Sequence, residues 1–403
     1  MSFDTDATTP HVKVDLNRPA PAGTHWNMID ELREQHRFFW ADEAQGYWVL
    51  TRYEDIREAF QTPDVFCNHS IVATNPDPEY RFLPSFSDPP IHMAYRRPMN
   101  PWFSPGAVAK LEPRLRELAR AEVEAVLAAG RCDYMSTFAD RFPVAGFLAS
   151  MGLPMDDADF FVSVAHRMSG AVGSEPEAVA QMNEAWGELA AYWTEMLADR
   201  RATPLDPEVD FLTMLSQSML VDQPMPDADI VDIMVTLTLG SLDTLKSQLG
   251  WQLWHLGTHP EDLARIVADP SLVPGAVEEF LRAFPIVSMA RKVTHDVDFH
   301  GCPMKKDDMV LLTIQAATRD PRVFPNPEQV IIDRSPNRHI AFGASEHRCL
   351  GSHLARTELQ LAIEEWVRLI PDFRVDTEEP LLAKGGQVSL LELPLAWPAA
   401  GAT

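Results

Sequence analysis

The segment from Phe342 to Gly351 constrains this chain most strongly, because it places Cys349 directly before a predicted helix. That helix starts near Gly351 and stops at Pro371, and its apolar face is formed by Ala355, Leu359, Ala362, Ile363, Trp366 and Ile370. Unpaired N–H groups and partial positive charge at a helix N-terminus stabilise a thiolate, the form of cysteine that binds metal. Gly343 and Gly351 would let the backbone approach a flat ligand. The alternative interpretation is a buried free cysteine without chemistry.

Composition limits the partners of the chain. It has 403 residues, and 59 acidic against 34 basic side chains give a formal net charge of −25. Such a surface repels phosphate backbones and anionic lipid, so we expect no nucleic-acid or membrane partner. The cysteines Cys67, Cys132, Cys302 and Cys349 are far apart and form no C-x-x-C pair. This pattern argues against a disulfide framework or a zinc ribbon and favours free thiols in the cytoplasm.

The hydrophobic pattern predicts a mainly α-helical chain with a smaller β part. We expect a single domain, with an extended arm over residues 1–24 and a core over residues 25–397. Helices are predicted at 53–60, 107–129 and through most of 107–256, and strands at 46–51, 297–299, 309–313 and 388–395. The N-terminus lacks the basic and apolar regions of a signal peptide. The most apolar stretch, 230–239, is too short to span a bilayer, so we expect a soluble protein.

A long helix is predicted to begin after Pro226, with Asp227 as its N-cap, and to run to Gly257. At about 1.5 Å per residue it would be roughly 45 Å long, enough to cross a whole domain. Asp243 and Thr244 lie near its middle. A threonine can bond the carbonyl one turn back and loosen the helix locally. The alternative is that this acid and alcohol are ordinary helix residues.

Two charged pairs occur at helical spacing elsewhere. Glu279 and Arg282 lie three residues apart, and a surface ion pair worth a few tenths of a kcal/mol is the simplest interpretation. His92 and Arg96 lie four apart on one helical face, where they could belong to an ordinary capped surface helix. Both side chains can also donate hydrogen bonds to a carboxylate.

Together these motifs resemble the cytochrome P450 monooxygenases, of the soluble bacterial class I type. Residues 342–351 are similar to the family's haem-binding loop Phe-Gly-x-x-x-His-x-Cys-x-Gly, and the three residue pairs above occur in the family's order. The resemblance extends over about residues 25–397. It implies the P450 fold, a triangular prism that holds haem b between the long central helix and the helix after the cysteine loop.

The resemblance implies roles for the central residues. Cys349 would be the axial ligand of the haem iron, Asp243 would relay protons from solvent, and Thr244 would stabilise the oxygen intermediate. The other haem contacts implied are Phe342, Gly351, His92, Arg96, Arg291 and His347, the last four as donors to the propionates. Ser241 and Ser345 stand where the family usually has glycine, and Lys246 is unusual at its position.

The Glu-x-x-Arg pair would have a structural role according to the resemblance. Glu279 and Arg282 would be buried beneath the haem and pair with a later arginine. Arg334 is the first candidate for that third member, and Arg338 is the second.

The resemblance implies that the enzyme inserts one oxygen atom from O2 into a small apolar substrate. Its electrons would come from NAD(P)H through a separate reductase and a [2Fe–2S] ferredoxin, because the chain contains no flavin or iron–sulfur motif. We therefore expect a local basic face that includes Arg97, Arg348 and Arg356, on a protein that acts as a monomer.

Residues 80–84 resemble the substrate loop of the camphor-hydroxylating member, and residues 331–339 resemble the cineole-hydroxylating member. We therefore expect a compact oxygenated terpenoid, with a fatty acid, a steroid or an aromatic acid as alternatives. The expected substrate contacts are Tyr80, Phe82, Thr236, Leu239, Gly240, Val287, Met289 and Val388. Arg81 is a candidate for holding a substrate carboxylate, and the aromatic side chains of the loop could instead simply fill core.

Three rival classes remain. A peroxygenase or dehydrating isomerase with the same haem ligand would lack the acid–alcohol pair, which this chain keeps at Asp243 and Thr244. A haem-binding sensor would form no product from any substrate. A helical scaffold without haem would be colourless.

Overall fold

The structure is a computed structural model that describes residues 9–13, 15, 18–169 and 176–398. Within those residues the helices are, in chain order, α1 (Thr24–Gln35), α2 (Tyr53–Gln61), α3 (Ile91–Met99), α4 (Pro105–Leu127), α5 (Arg141–Met151), α6 (Ala158–Ser169), α7 (Pro176–Ala202), α8 (Phe211–Ser216), α9 (Asp227–Thr258), α10 (Pro260–Ala268), α11 (Val273–Ala283), α12 (Ile314–Ala317) and α13 (Ser352–Leu369). A π-helical turn lies at Met135–Ala139, and 3-10 turns lie at Met155–Asp157, Pro270–Leu272 and Ser345–His347. The predicted mainly helical architecture is confirmed.

The β part consists of short strands. They are β1 (His11–Val12), β2 (Ala20–Pro21), β3 (Phe38–Ala41), β4 (Tyr47–Leu50), β5 (Phe66–Cys67), β6 (Arg131–Asp133), β7 (Met219–Leu220), β8 (Gln223–Pro224), β9 (Met289–Val293), β10 (Val297–Phe299), β11 (Cys302–Met304), β12 (Met309–Leu312), β13 (Arg374–Val375), β14 (Leu382–Lys384), β15 (Ser389–Leu390) and β16 (Pro394–Ala396). The largest sheet has the order β1-β3-β4-β12-β9-β5, with β12 antiparallel to β9 and Val310 opposite Arg291. This sheet fixes the position of Arg291.

Helix α9 spans 32 residues, and its length of about 48 Å crosses the molecule. Pro226 is its N-cap and Asp227 is its first helical residue, so the helix begins one position earlier than the sequence suggested. Its side chains enter two separate hydrophobic clusters, one containing Leu249 and Trp251 and the other containing Ile233 and Leu242. The helix is buried on nearly all sides because both clusters pack against it.

Helix α13 is the second central element. Its Leu359 and Trp366 enter the same cluster as Trp251, while Leu354 and Leu361 enter the cluster of Leu242. The amide side chain of Gln252 on α9 also donates to the Leu359 carbonyl at 3.2 Å. Since α9 and α13 share both clusters, the loop that precedes α13 is held in a fixed place relative to α9.

Several predicted boundaries differ from the structure. The single strand expected at 388–395 is two strands in different sheets, because β15 pairs with β14 whereas β16 pairs with β6 and β13. The strands β3 and β9 were not predicted. None of the helices in the described part of the chain is both long and apolar enough to cross a bilayer.

Candidate active site

The cysteine loop is a hairpin that turns into helix α13. The Cys349 amide donates to the Phe342 carbonyl at 2.9 Å, which closes the loop around the 3-10 turn between them. Gly343 has φ of +71° and Ser345 has φ of +61°, so both occupy the left-handed region that favours glycine. The loop therefore keeps its turn although Ser345 stands where a glycine was expected.

Cys349 is an exposed residue that is nevertheless closely surrounded by protein. Burial raises the pKa of its thiol above the usual value, although the Gly351 amide and the nearby Arg96, Arg348 and Arg356 lower it. The helix N-terminus alone therefore does not make a thiolate here. A bound metal ion removes this proton outright, because a coordinating cysteine sulfur is deprotonated. The residue as a whole is exposed, which leaves room for a bound metal ion beside it.

Two histidines lie together beside this loop. The rings of His92 on α3 and His347 stack with centroids 3.8 Å apart. Burial lowers the pKa of His92 to about 4, with Arg96 acting in the same direction. Burial and the neighbouring His92, Arg291 and Arg96 lower the pKa of His347 to about 2. Among the described residues nothing accepts from or donates to the buried His92 Nδ1 and His347 Nε2.

Two arginines complete the group of donors. Arg291 is 3% exposed, and burial lowers its pKa to about 10. Its Nη1 donates only to the Ala290 carbonyl among the described residues, and its guanidinium lies 5.1 Å from the Phe60 ring centroid. Arg96 donates to the Arg348 carbonyl at 3.1 Å. In the described chain neither guanidinium has a carboxylate within 4 Å, so the group is built to receive anions.

Glu279 and Arg282 form a buried cluster, not a surface pair. Both side chains are fully buried, and Arg282 Nε and Nη2 donate to the carboxylate at 2.8 and 2.7 Å. Arg334 Nε donates to both carboxylate oxygens at 3.0 Å, and the Ile331 amide donates at 2.9 Å. The structure therefore places the first candidate, Arg334, in the third position, whereas Arg338 contributes its carbonyl to Tyr53.

On α9, hydroxyl side chains bond the carbonyl one turn back. Thr244 Oγ1 donates to the Gly240 carbonyl at 2.6 Å, and Ser241 donates to the Leu237 carbonyl at 2.7 Å. A Cβ added at Gly240 would meet no atom within 4 Å. The helix nevertheless remains continuous. Asp243 Oδ2 lies 4.0 Å from Lys384 Nζ, and its buried Oδ1 has no hydrogen-bond partner in the described chain.

A cavity of about 580 Å³ lies beside Asp243 and Leu239. Its lining residues are Val72, Glu79, Tyr80, Phe82, Val164, Ala165, Met168, Met182, Asn183, Trp186, Gly187, Thr238, Leu239, Leu242, Asp243 and Gln387. The rings of Tyr80, Phe82 and Trp186 pack within 5.3 Å of one another and form one wall. The cavity has the size and mixed lining of a small-molecule site.

Of the expected substrate contacts, Tyr80, Phe82 and Leu239 line this cavity. Thr236, Gly240, Val287, Met289 and Val388 are not among its lining residues. Val388 is 3% exposed and its carbonyl accepts from Trp251, which places it in the core, while the adjacent Gln387 reaches the cavity. Thr236 bonds the Asp232 carbonyl on its own helix.

Sequence reasoning missed Trp186, Asn183 and Gln387. Trp186 and Asn183 lie on α7. The spacing of residues along a helix does not show that the distant loop of Tyr80 and Phe82 packs near them. Gln387 follows two glycines after β14, and only the three-dimensional arrangement brings it to α9, where it donates to Ser247 at 3.1 Å.

Comparison with known proteins decides the family. Residues 176–395 match the sequence profile described as Cytochrome P450. The chain is 30% identical over 358 residues to the probable cytochrome P450 127A1 of Sinorhizobium fredii, an alignment that covers 88% of this chain and 84% of the relative. The chain belongs to the cytochrome P450 family. It is also 31% identical to cytochrome P450-terp of a Pseudomonas species, over 80% of this chain and 81% of that one.

Solved structures agree with this assignment. The crystal structure of CYP101J2 superimposes with a TM-score of 0.88 at 28% identity, and covers 99% of this chain and 100% of the other. The bottromycin biosynthetic protein SalCYP gives a TM-score of 0.85 at 29% identity, with 98% of this chain and 96% of the other covered. The predicted P450 fold is confirmed, and the chain is a cytochrome P450 monooxygenase.

The residues of this P450 fit haem b, the cofactor of the family. Haem b offers a flat ring, an iron and two carboxylates. Cys349 is exposed and would hold the iron through its sulfur, and the donors His92, Arg96, Arg291 and His347 form a group without a carboxylate partner in the described chain. Such a group of buried donors is costly unless anions satisfy it, and two propionates would do so.

Proposed function

We propose that this P450 hydroxylates a compact, uncharged, lipophilic molecule of the terpenoid type. The observation that carries this proposal is the cavity of about 580 Å³ beside Asp243, walled by Tyr80, Phe82 and Trp186. Most of its lining is apolar, which favours a lipophilic substrate. Asn183, Gln387 and the Tyr80 hydroxyl supply a few polar groups that could orient a single oxygen function.

The charges of the cavity argue against a substrate carboxylate. Glu79 and Asp243 are the charged residues of its described lining, and both are acidic. Arg81, the sequence candidate for holding a carboxylate, instead pairs with Asp229 at 3.0 Å and with Asp232 at 2.5 Å. A fatty acid or an aromatic acid would therefore enter next to like charge without a countercharge.

The relatives are compatible with this substrate class. Cytochrome P450-terp is among them, whereas three other relatives are named steroid C26-monooxygenase, one at 29% and two at 28% identity. The aromatic wall of Tyr80, Phe82 and Trp186 offers flat apolar surface against which a compact molecule can pack. A steroid is the alternative that the experiment below tests.

The mechanism assigns separate tasks to the residues of the chain. Haem b, held by Cys349 and by the donors His92, Arg96, Arg291 and His347, supplies O2 binding and the oxidising chemistry. The Thr244 hydroxyl donates a hydrogen bond to the Gly240 carbonyl, so its oxygen lone pairs are free to accept another hydrogen bond. The hydroxyl can also rotate to donate elsewhere. Asp243 Oδ1 accepts protons that enter from solvent and passes them toward Thr244. The aromatic wall excludes water from the substrate.

We also propose that electrons come from NAD(P)H through a reductase and a [2Fe–2S] ferredoxin. Arg348 is exposed next to Cys349 in the chain, and Arg97, Ile91 and Met93 are exposed on α3, whose Arg96 donates to the Arg348 carbonyl. Such a mixture of cations and apolar groups suits an acidic partner. Arg356 does not belong to this face, because it pairs with Glu278 at 2.6 Å and lies 4.5 Å over the Phe342 ring.

A spectral screen tests the substrate class. Cineole, camphor, a sterol, a long-chain fatty acid and benzoate are each added to the resting protein, and the change in the haem spectrum as iron-bound water leaves is recorded. We expect the terpenoids to bind, the carboxylates not to bind, and bound terpenoid to gain one oxygen atom when ferredoxin, reductase and NADH are supplied. Tight binding and turnover of the sterol alone would replace our proposal by the steroid alternative.

Substitutions test the assigned roles. Cys349→Ser removes the thiolate, so the reduced carbon monoxide complex should lose its long-wavelength band, whereas Cys67→Ser should keep it. Thr244→Ala should lower product per NADH and release hydrogen peroxide instead. Unchanged coupling in that variant would refute the role of Thr244.

Arg97→Glu and Arg348→Glu should each raise the KM for ferredoxin, while Arg374→Glu, at a distant exposed site, should not.

A further inference from the structure

A second, much smaller cavity also borders Asp243. Its volume is about 10 Å³, close to the room that one water molecule needs. It is lined by Ala139, Asp140, Ala165, His166, Leu242, Asp243 and Lys246. Asp243, Leu242 and Ala165 also line the substrate cavity. Asp243 therefore stands between the substrate cavity and a small chamber whose other polar residues are all titratable.

Those titratable residues form a connected chain. Asp140, at the start of α5, is 7% exposed, and its two oxygens bind two different cations. Its Oδ2 lies 2.7 Å from His166 Nε2 on α6, and its Oδ1 lies 2.6 Å from Lys246 Nζ on α9. The His166 side chain is 49% exposed, so this chain begins in bulk solvent and ends at the small cavity.

Asp243 is ready to receive a proton from that cavity. Its Oδ1 is buried and has no hydrogen-bond partner among the described residues. A buried carboxylate oxygen without a donor is costly, and one water in the small cavity would satisfy it. With Asp140, His166 and Lys246 as its other polar neighbours, the same water would have four possible partners, at the upper end of the roughly two to four that buried waters have.

We propose that His166, Asp140 and one water in this cavity form the route by which protons reach Asp243 from solvent. His166 Nε2 gives a proton to Asp140 Oδ2, Asp140 gives one to the water, and the water gives one to Asp243 Oδ1. His166 is then protonated again from bulk water, so the net change is one proton moved from solvent to Asp243. This inference rests on the proposed role of Asp243 and names the residues that supply it.

Lys246 is a positioning residue in this route. Burial raises the pKa of Asp140, but the hydrogen bond from His166 and the charge of Lys246 outweigh burial and lower it overall. Asp140 is therefore a carboxylate that passes a proton on instead of keeping it. The other charged group facing Asp243 is Lys384 on β14. Burial lowers the pKa of Lys384 below its usual value, although the charge of Asp243 acts in the opposite direction. The unusual lysine of the sequence thus has a function on the α5 side of α9.

Two measurements on the holoenzyme test the route. A high-resolution crystal structure should show one ordered water between Asp243 Oδ1 and Asp140, and this water should be absent from Lys246→Met. In turnover of cineole, Asp140→Asn and His166→Ala should each lower product formation roughly three- to tenfold and raise peroxide, which is less than the roughly 100-fold or more that an acid or base in contact with the reacting atoms contributes. Both variants should also enlarge the solvent deuterium isotope effect. His11→Ala is the matched control, because His11 is another exposed histidine, 2.8 Å from Asp42.

Asp243→Asn separates the two possible failures. If it lowers coupling while Asp140→Asn and His166→Ala match the wild type, the route is wrong and the role of Asp243 stands. If Asp243→Asn itself changes neither coupling nor the isotope effect, the proposed role of Asp243 and the route both fail. A dry cavity in the crystal structure would also overturn the route, whatever the rates.

Discussion

The imidazole rings of His92 and His347 stack with their centroids 3.8 Å apart, and each has a buried nitrogen that no described residue satisfies. The two residues come from α3 and from the cysteine loop, so the stack joins elements that are 255 positions apart in the chain. Low pKa values keep both rings uncharged in the protein without its cofactor. A haem propionate would satisfy these nitrogens and bring negative charge to them.

Replacing His92 by Phe should weaken haem binding without disturbing the fold. Phe keeps a flat ring against His347 but removes the donor, and a hydrogen bond to a charged group contributes about 1.5–3 kcal/mol. We therefore expect haem transfer to an apomyoglobin acceptor to become roughly 10- to 100-fold faster. His259→Phe is the control, because His259 stacks on His255 at 4.0 Å far from the cysteine loop. Equal transfer rates in wild type and His92→Phe would remove His92 from the haem contacts.

Replacing Glu279 by Gln should destabilise the protein by about 3–5 kcal/mol, since it leaves two buried arginines with reduced compensation. Glu279 receives donors from Arg282, Arg334, Asn337 and the Ile331 amide. Urea unfolding followed by haem absorbance measures the loss. Glu117→Gln, which breaks an exposed pair with Arg114, should cost less than about 1 kcal/mol. A similarly small loss of unfolding free energy in Glu279→Gln would show that the cluster contributes no more than an ordinary ion pair.

The relative positions of residues that are close in sequence were predictable, because their spacing along a helix or loop determines how they are arranged. The Cys349 loop, the helix after it, and the Glu279–Arg282 pair all follow from local patterns. Helix α9 was predicted to within one residue at each end because a buried helix of this length leaves a continuous apolar pattern, whereas α7 was not predicted as a separate helix. Arg334 was proposed because the resemblance implies an arginine in the segment before the cysteine loop, and its Nε lies 3.0 Å from both Glu279 carboxylate oxygens.

Contacts between distant segments were not predictable from one sequence. Arg356 was expected on the basic face, yet Glu278 and the Phe342 ring hold it. Lys246 was unexplained until the structure brought Asp140 within 2.6 Å of it. Val388 and Gln387 are neighbours in the turn between β14 and β15, and only the path of that turn decides which of them reaches the cavity. In each case the deciding contact joins elements that are far apart in the chain, and no periodic pattern in the sequence indicates that they meet.

Glu278 should make stability depend on acid pH. Burial raises its pKa, but His339 and Arg356 outweigh burial and lower it from 4.5 to about 2. A carboxylate whose folded pKa is depressed stabilises the protein fully above its unfolded pKa, and this stabilisation is lost as pH falls from about 4.5 toward 2. Between pH 7 and pH 4, wild type should therefore lose about 1 kcal/mol more than Glu278→Gln. Urea unfolding at pH 7, 5 and 4 measures this difference, and parallel pH curves for the two proteins would contradict it.

Substitutions of Ser345 and Gly343, which lie in the same loop, should have opposite effects on stability. Both have left-handed backbone angles, φ of +61° and +71°, which cost an L-residue about 1–2 kcal/mol but cost glycine little. Ser345→Gly should therefore stabilise the protein by about 1 kcal/mol or less, because the greater freedom of glycine in the unfolded chain offsets part of the gain. Gly343→Ala should destabilise it by about 1 kcal/mol or more. Thermal unfolding of the two holoproteins should shift the Tm in opposite directions, and a loss of stability in Ser345→Gly would mean that the Ser345 hydroxyl, which donates to Glu346 at 2.8 Å, outweighs the backbone strain.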